Sequence, residues 1–158
     1  MNILVLCTGN SARSILLESL FNHTGEGRVR AYSAGSNPTG KVHPQSLTLL
    51  GAESHDVRDA RSKSWDEFAA EDAPEMDIVI TVCGSAAEET CPVWPGAPVR
   101  AHWGVEDPAA ASQSDWETAF RTAYDILGRR AEALLELPIE TMDSVELSAH
   151  LKRIGALL

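Results

Sequence analysis

The sequence contains no apolar run approaching the roughly 20 residues that a membrane-spanning helix needs, so no membrane partner is expected. It opens almost directly on a short apolar stretch, with no basic segment leading a long apolar one. No secretory signal is therefore expected, and the chain reads as cytoplasmic. Cations are scarce: 13 Lys and Arg stand against 23 Asp and Glu, a net charge of −10. Such a surface repels phosphodiester backbones, which argues against nucleic acid as a partner. It also repels small anions at long range, so an anion site here must rest on local donors. Only three cysteines are present. An odd number does not suggest a structural disulfide framework, and in a reducing compartment the thiols read as redox chemistry. Repeats and low-complexity segments are absent. What remains is an ordinary globular composition, 44% hydrophobic over 158 residues, enough for one domain spanning 1–158 with a substantial core.

The richest segment is Cys7-Thr8-Gly9-Asn10-Ser11-Ala12-Arg13-Ser14. It follows an apolar strand, predicted over 2–6, and precedes a helix predicted over 13–23. A tight loop between a strand and a helix N-terminus cradles oxyanions, because its amides point inward and the helix dipole adds positive character. Gly9 permits the tight path and Asn10 tolerates left-handed backbone. Arg13 can clamp two oxygens of a tetrahedral anion with its planar fork. Thr8, Gly9, Asn10, Ser11, Ala12 and Arg13 are thus the predicted oxyanion-binding residues, and Cys7 the nucleophile at the base of the cradle. The field that binds the anion should favour the thiolate and lower the Cys7 pKa. Ser14 can donate a hydrogen bond to its sulfur.

Further strands are predicted over 28–34, 76–82 and 99–103. Helices are predicted over 44–50, ending at Gly51, over 64–71, over about 114–135, and from 143 to 154 with Asp143 or Ser144 as cap. The last forms a C-terminal helical extension at about 139–158. Trp116, Phe120, Ala123, Ile126 and Leu127 make an apolar stripe on the long helix. Strands alternating with helices predict an α/β fold, a doubly wound, four-stranded parallel sheet with helices on both faces. Ligands of such sheets bind beyond the carboxyl ends of the strands. Cys7 and Cys83 both follow strands, so both are expected on one edge.

Cys83 and Cys91 bracket a segment that favours helix. Eight helical residues separate Cα atoms by about 12 Å, whereas a disulfide needs roughly 4.4–6.8 Å. If the two pair, residues 84–90 must unwind, and Gly84 and Pro92 suit a helix of marginal stability. Cys83 as an inert strand-end thiol, or a zinc site of Cys83, Cys91 and His102, stays open, although the spacing is not a usual zinc pattern.

The loop resembles the phosphate loop of the low-molecular-weight tyrosine phosphatase fold, which phosphatases share with thiol-coupled arsenate reductases. The stretches Val82-Cys83, Cys91-Pro92-Val93-Trp94-Pro95-Gly96 and Ala101-His102-Trp103-Gly104-Val105-Glu106-Asp107-Pro108-Ala109 resemble the arsenate reductases, and the likeness extends over roughly 1–135. The resemblance implies that Cys7, Cys83 and Cys91 hand on a disulfide, that Asp107 is the general acid, and that arsenate is the substrate. It further implies no bound cofactor and an external thiol reductant: thioredoxin, glutaredoxin with glutathione, or mycothiol. A tyrosine phosphatase or small phosphomonoesterase is the alternative, but Ala109-Ala110-Ala111 supplies no aromatic wall for a phosphotyrosine ring. A non-catalytic oxyanion-binding or redox-sensing module is a third reading. The sequence departs from some relatives at Ala12, where they carry a further Cys. Some also bind potassium through residues matching Asn10, Glu18 and Ser33. The fourth position of that set falls near Lys63, whose ammonium can stand in for the ion, so no metal is predicted.

Overall fold

The computed structural model describes residues 1–84, 94 and 96–158. Four strands run through it: β1 (Asn2–Cys7), β2 (Arg30–Gly35), β3 (Ile78–Thr81) and β4 (Val99–His102). The α-helices among these residues are α1 (Arg13–Thr24), α2 (Pro44–Ala52), α3 (Trp116–Leu135) and α4 (Ser144–Ile154). The strands form one parallel sheet in the order β2-β1-β3-β4. β1 therefore lies beside β3, with Leu6 opposite Thr81.

The strands are apolar on both sides, as buried parallel strands must be. Ile3, Val5, Ile78 and Ile80 face one layer, packed against Leu16, Leu20 and Phe21 of α1, Leu50 of α2, Phe120 and Leu127 of α3, and Leu147 and Leu151 of α4. Leu4, Leu6 and Val79 face the other layer, with Phe68, Met76 and Trp94. Phe68 arrives on a 3₁₀ turn, Trp65–Phe68, where the sequence predicted a longer helix. Among the described residues no helix is long and apolar enough to cross a membrane.

Several boundaries differ from the sequence expectation. α2 runs through Gly51 to Ala52, and it is Ser54, at φ 66°, that takes the left-handed position while the His55 amide returns to the Leu50 carbonyl at 2.9 Å. A glycine one residue early costs a helix only about 1 kcal/mol, so it does not stop α2. The long helix opens at Trp116 because Gln113–Asp115 tightens into a 3₁₀ turn. The strand predicted over 76–82 pairs only from Ile78 to Thr81. Asp143 is the residue that caps α4, accepting from the Glu146 amide at 2.8 Å. In the α3 stripe, Phe120, Ala123 and Leu127 are buried and Trp116 and Ile126 half-buried, and Arg130 is buried in line with them. Cys91 and the predicted switch over 84–90, apart from Gly84 itself, fall outside the described residues.

Candidate active site

The loop leaves β1 at Cys7 and enters α1 at Arg13. Its carbonyls turn outward and are held there. Thr8 O accepts from the Asn37 amide at 3.0 Å, Gly9 O from Thr39 N at 3.0 Å and from the Ser62 hydroxyl at 3.1 Å, and Ser11 O from His43 N and the Ser46 hydroxyl, both at 3.0 Å. With the carbonyls committed outside, the amides of Gly9 to Ala12 are free to face inward; among the described residues none donates to a backbone carbonyl. Asn10 sits at φ 47° and is fully buried. Its side chain donates to Ser14 Oγ at 2.8 Å and accepts from the Lys63 amide at 2.9 Å. Ser14 thereby keeps its own proton to donate. α1 begins with no side-chain cap and no acid in its first turn, so the positive end of its dipole stays available to an anion. Gly35, at the end of β2, presses on the loop from behind. A Cβ there would lie 2.3 Å from Thr8 O, so only glycine fits.

Arg13 donates through Nη1 to Val105 O at 2.9 Å and pairs through Nη2 with Asp107 Oδ2 at 3.6 Å. Its Nε is buried with no partner among the described residues, a donor that an oxyanion would satisfy. Asp107 caps the 3₁₀ turn Pro108–Ala110, accepting from the Ala109 amide at 3.0 Å through Oδ1. Its other oxygen faces Arg13. The acid and the clamp thus lie at the same mouth.

Cys7 and Cys83 are both buried, at 7% and 4% exposure. They come together because β1 and β3 are neighbours, and Cys83 Sγ also lies 3.6 Å from Thr8 Oγ1. The Cys7 thiol is pushed above its ordinary range, first by a hydrogen bond with the Cys83 side chain and then by burial. The Arg13 charge and the Thr8 amide act the other way. This corrects the sequence expectation of a lowered pKa. Reasoning within the loop saw Arg13 and the amides, but not a second thiol brought by another strand. Replacing Cys83 by alanine is accordingly expected to move the pH midpoint of Cys7 alkylation downward, read at Cys7 by mass spectrometry. An unchanged or higher midpoint would contradict this account.

Lys63 is buried, with Nζ 3.3 Å from Ser33 Oγ, 3.1 Å from Arg61 O and 3.7 Å from Glu18 Oε2. Desolvation lowers its pKa and raises that of Glu18, and each opposes the other's shift. The ammonium thus lies between two residues of the potassium set, and the Lys63 backbone holds the third, Asn10. Removing one partner of a buried pair strands the other, at about 3–5 kcal/mol. Lys63→Met is expected to lose stability of that order at neutral pH in urea unfolding. The unpaired Glu18 then has a folded pKa above its unfolded value of roughly 4.3. The penalty is absent below that pH, grows as pH rises from the unfolded to the folded pKa, and is constant above it. A variant equally destabilised at every pH would refute the pairing.

One residue of the mouth escaped the sequence reading. His43 caps α2, its Nδ1 accepting from the Gln45 amide at 3.0 Å, which leaves Nε2 to carry the proton of the neutral ring. Its ring meets Trp116 edge-on, centroids 4.6 Å apart. Burial lowers its pKa against the opposing charge of Asp107. Histidine is not among the usual caps, so no sequence signal pointed to it. His102, the third member of the zinc alternative, bonds Thr81 Oγ1 through Nδ1 at 2.7 Å.

The family described as low molecular weight phosphotyrosine protein phosphatase matches residues 2–147. The chain belongs to that family. Within it, the chain is 35% identical over 136 residues to an arsenate reductase of Halalkalibacterium halodurans, covering 85% of this chain and 94% of that one. It is 32% identical to an arsenate reductase of Bacillus subtilis, with the same coverage. Among solved structures it resembles an arsenate reductase in the phosphate binding state, with a TM-score of 0.69 and 26% identity over 85% of this chain and 96% of that one. The family fold accounts for the sheet order and for the loop at the end of β1.

Proposed function

We propose that this protein is an arsenate reductase that converts arsenate to arsenite through its own thiols. The observation that carries the reading is the placement of two buried thiols, Cys7 at the end of β1 and Cys83 just beyond the neighbouring β3, beside an oxyanion loop, with Cys83 Sγ 3.6 Å from Thr8 Oγ1. A phosphatase needs one thiol at this place; a reductase needs two.

Arsenate enters the cradle of amides and Arg13. The Cys7 proton passes to the bound dianion, and the Cys7 sulfur attacks arsenic. Asp107 protonates the departing oxygen, which leaves as water, and a Cys7–arsenic(V) adduct remains. The Cys83 sulfur then attacks the Cys7 sulfur. The sulfur–arsenic bond breaks, its electron pair stays on arsenic, and arsenite departs as arsenic(III). Two thiols have become one Cys7–Cys83 disulfide, which accounts for both electrons. Cys91 attacks Cys83 and frees Cys7 by thiol–disulfide exchange. The Cys83–Cys91 disulfide passes to an external reductant, either a thioredoxin-like protein or a small thiol such as glutathione with glutaredoxin or mycothiol. Purified protein, arsenate and each reductant in turn test the reading: arsenite should form with at least one of them, and none forming with any would overturn it.

Asp107→Asn is expected to lower kcat by about 10²–10⁴-fold, the usual range for a lost general acid, with arsenate binding largely kept. An unchanged rate at saturating arsenate would remove Asp107 from the chemistry.

A further inference from the structure

Arg130 stands where the apolar stripe of α3 calls for a hydrophobic residue. It lies between Leu127, Ala131 and Leu134 in a buried row, and is itself only 2% exposed. A guanidinium withdrawn from water ordinarily has a carboxylate beside it. None of the ion pairs among the described residues includes Arg130. Its partners are two backbone carbonyls: Nε donates to Leu157 O at 2.9 Å, and Nη1 to Gly104 O at 3.2 Å.

Those carbonyls belong to two segments with different places in the molecule. Gly104 lies in the stretch 103–107, which leaves β4 without regular secondary structure and carries Asp107. Leu157 follows α4. A second contact joins the same two parts, because Trp103 Nε1 donates to Leu151 O at 2.9 Å in a buried position. Gly155 fits closely here as well: a Cβ on it would lie 2.8 Å from Trp103 Cδ1 and 3.0 Å from His102 O. The root of the acid loop is therefore seated on the C-terminal helix, and Arg130 locks the seat.

The rest of that loop is only partly packed from behind: Val105 and Ala109 touch the core and Pro108 is buried. A cavity of about 640 Å³ separates residues 104–111 from the α3 face formed by Ala119, Ala123 and Ile126. Two arginines add to that hold, on successive carbonyls. Arg13 holds Val105 O from the substrate side, and Arg130 holds Gly104 O from the core side. Once arsenate draws on the Arg13 guanidinium, Arg130 becomes the anchor that does not compete with substrate.

We propose that Arg130 is a positioning residue for Asp107, fixing through Gly104 O the loop that presents the acid and coupling the C-terminal helix to catalysis. The proposal rests on the reading of Asp107 as general acid. It gives the helix a task beyond covering the sheet. It also explains a buried arginine that leucine or methionine would replace at no loss of core.

The test is a double-mutant cycle between Arg130→Met and Asp107→Asn, read as arsenate kcat and KM on folded, monodisperse protein. Positioning predicts that Arg130→Met alone lowers kcat about tenfold or more, within the range a general acid supplies, while KM stays within about twofold. In the Asp107→Asn background the same change should cost less than about twofold, since residues that act through one another are not additive. Equal losses in both backgrounds, or a loss confined to KM, would overturn the proposal while leaving the acid intact. An Asp107→Asn protein as fast as its parent would overturn the acid reading and this proposal with it. If Arg130→Met does not fold, Arg130→Lys takes its place in the cycle. A buried ammonium keeps the charge but cannot span both carbonyls, so a loss that vanishes with Asp107→Asn supports positioning, and full activity with lysine refutes it.

Discussion

Cys7→Ser is expected to leave no measurable arsenate reduction and no hydrolysis of an aryl phosphate. The two reactions share their first step, attack on a tetrahedral centre held by the amides of residues 8–13 and by Arg13. The other thiol here, Cys83, comes from outside the loop and acts on the Cys7 sulfur; within the loop, Ala12 is where some relatives place another thiol, and the Ser14 hydroxyl is engaged by Asn10 at 2.8 Å. A serine hydroxyl is a poor substitute because it ionises far less readily than a thiol and is a much weaker nucleophile. The fold should survive, since the replacement keeps the volume and Cys7 bonds no distant disulfide. Arsenite measured over many turnovers, together with circular dichroism, checks both halves. Substantial turnover by the folded variant would move the nucleophile elsewhere.

Cys83→Ser should separate the two activities. Reduction needs a second sulfur to attack the Cys7 sulfur of the arsenic adduct and expel arsenite, and serine cannot form that disulfide bond. Multiple-turnover arsenate reduction is expected to stop, whereas slow aryl phosphate hydrolysis, in which water completes the reaction, should persist at a rate comparable to the parent. Hydrolysis depends on Cys7, Arg13 and Asp107 and needs no second thiol, although Cys83 touches Cys7. A folded variant that loses both activities equally would break this division of labour.

The loop from Cys7 to Ser14 was legible because everything it needs is contiguous: a strand, a small residue, a left-handed asparagine, an arginine and a helix start. The sheet was legible for the same reason, since its strands are short apolar runs punctuated by glycine and polar loops. What could not be read depends on contacts between distant residues. The Cys7 pKa was misjudged because its strongest influence comes from a neighbouring strand. Arg130 drew no attention in the sequence because its two carbonyl partners lie 26 and 27 residues away. His43 acts as a cap that no propensity favours. Lys63 was placed correctly through residues matching a known ion site, and its ring of contacts to Ser33, Arg61 and Glu18 became visible only with the fold.

The adjacency of β1 and β3 has a consequence for how the thiols meet in time. In an unfolded chain, closing the 76-residue loop from Cys7 to Cys83 is about thirty times rarer than closing the 8-residue loop from Cys83 to Cys91, by the three-halves-power law of chain closure. A nascent or denatured molecule exposed to oxidant therefore joins the near pair and leaves Cys7 alone. Only the finished sheet reverses that preference, by holding the far pair in contact. In the proposed relay the order in which the sulfurs react is thus a property of topology, and a chain that has lost its sheet is expected to oxidise in the wrong sequence.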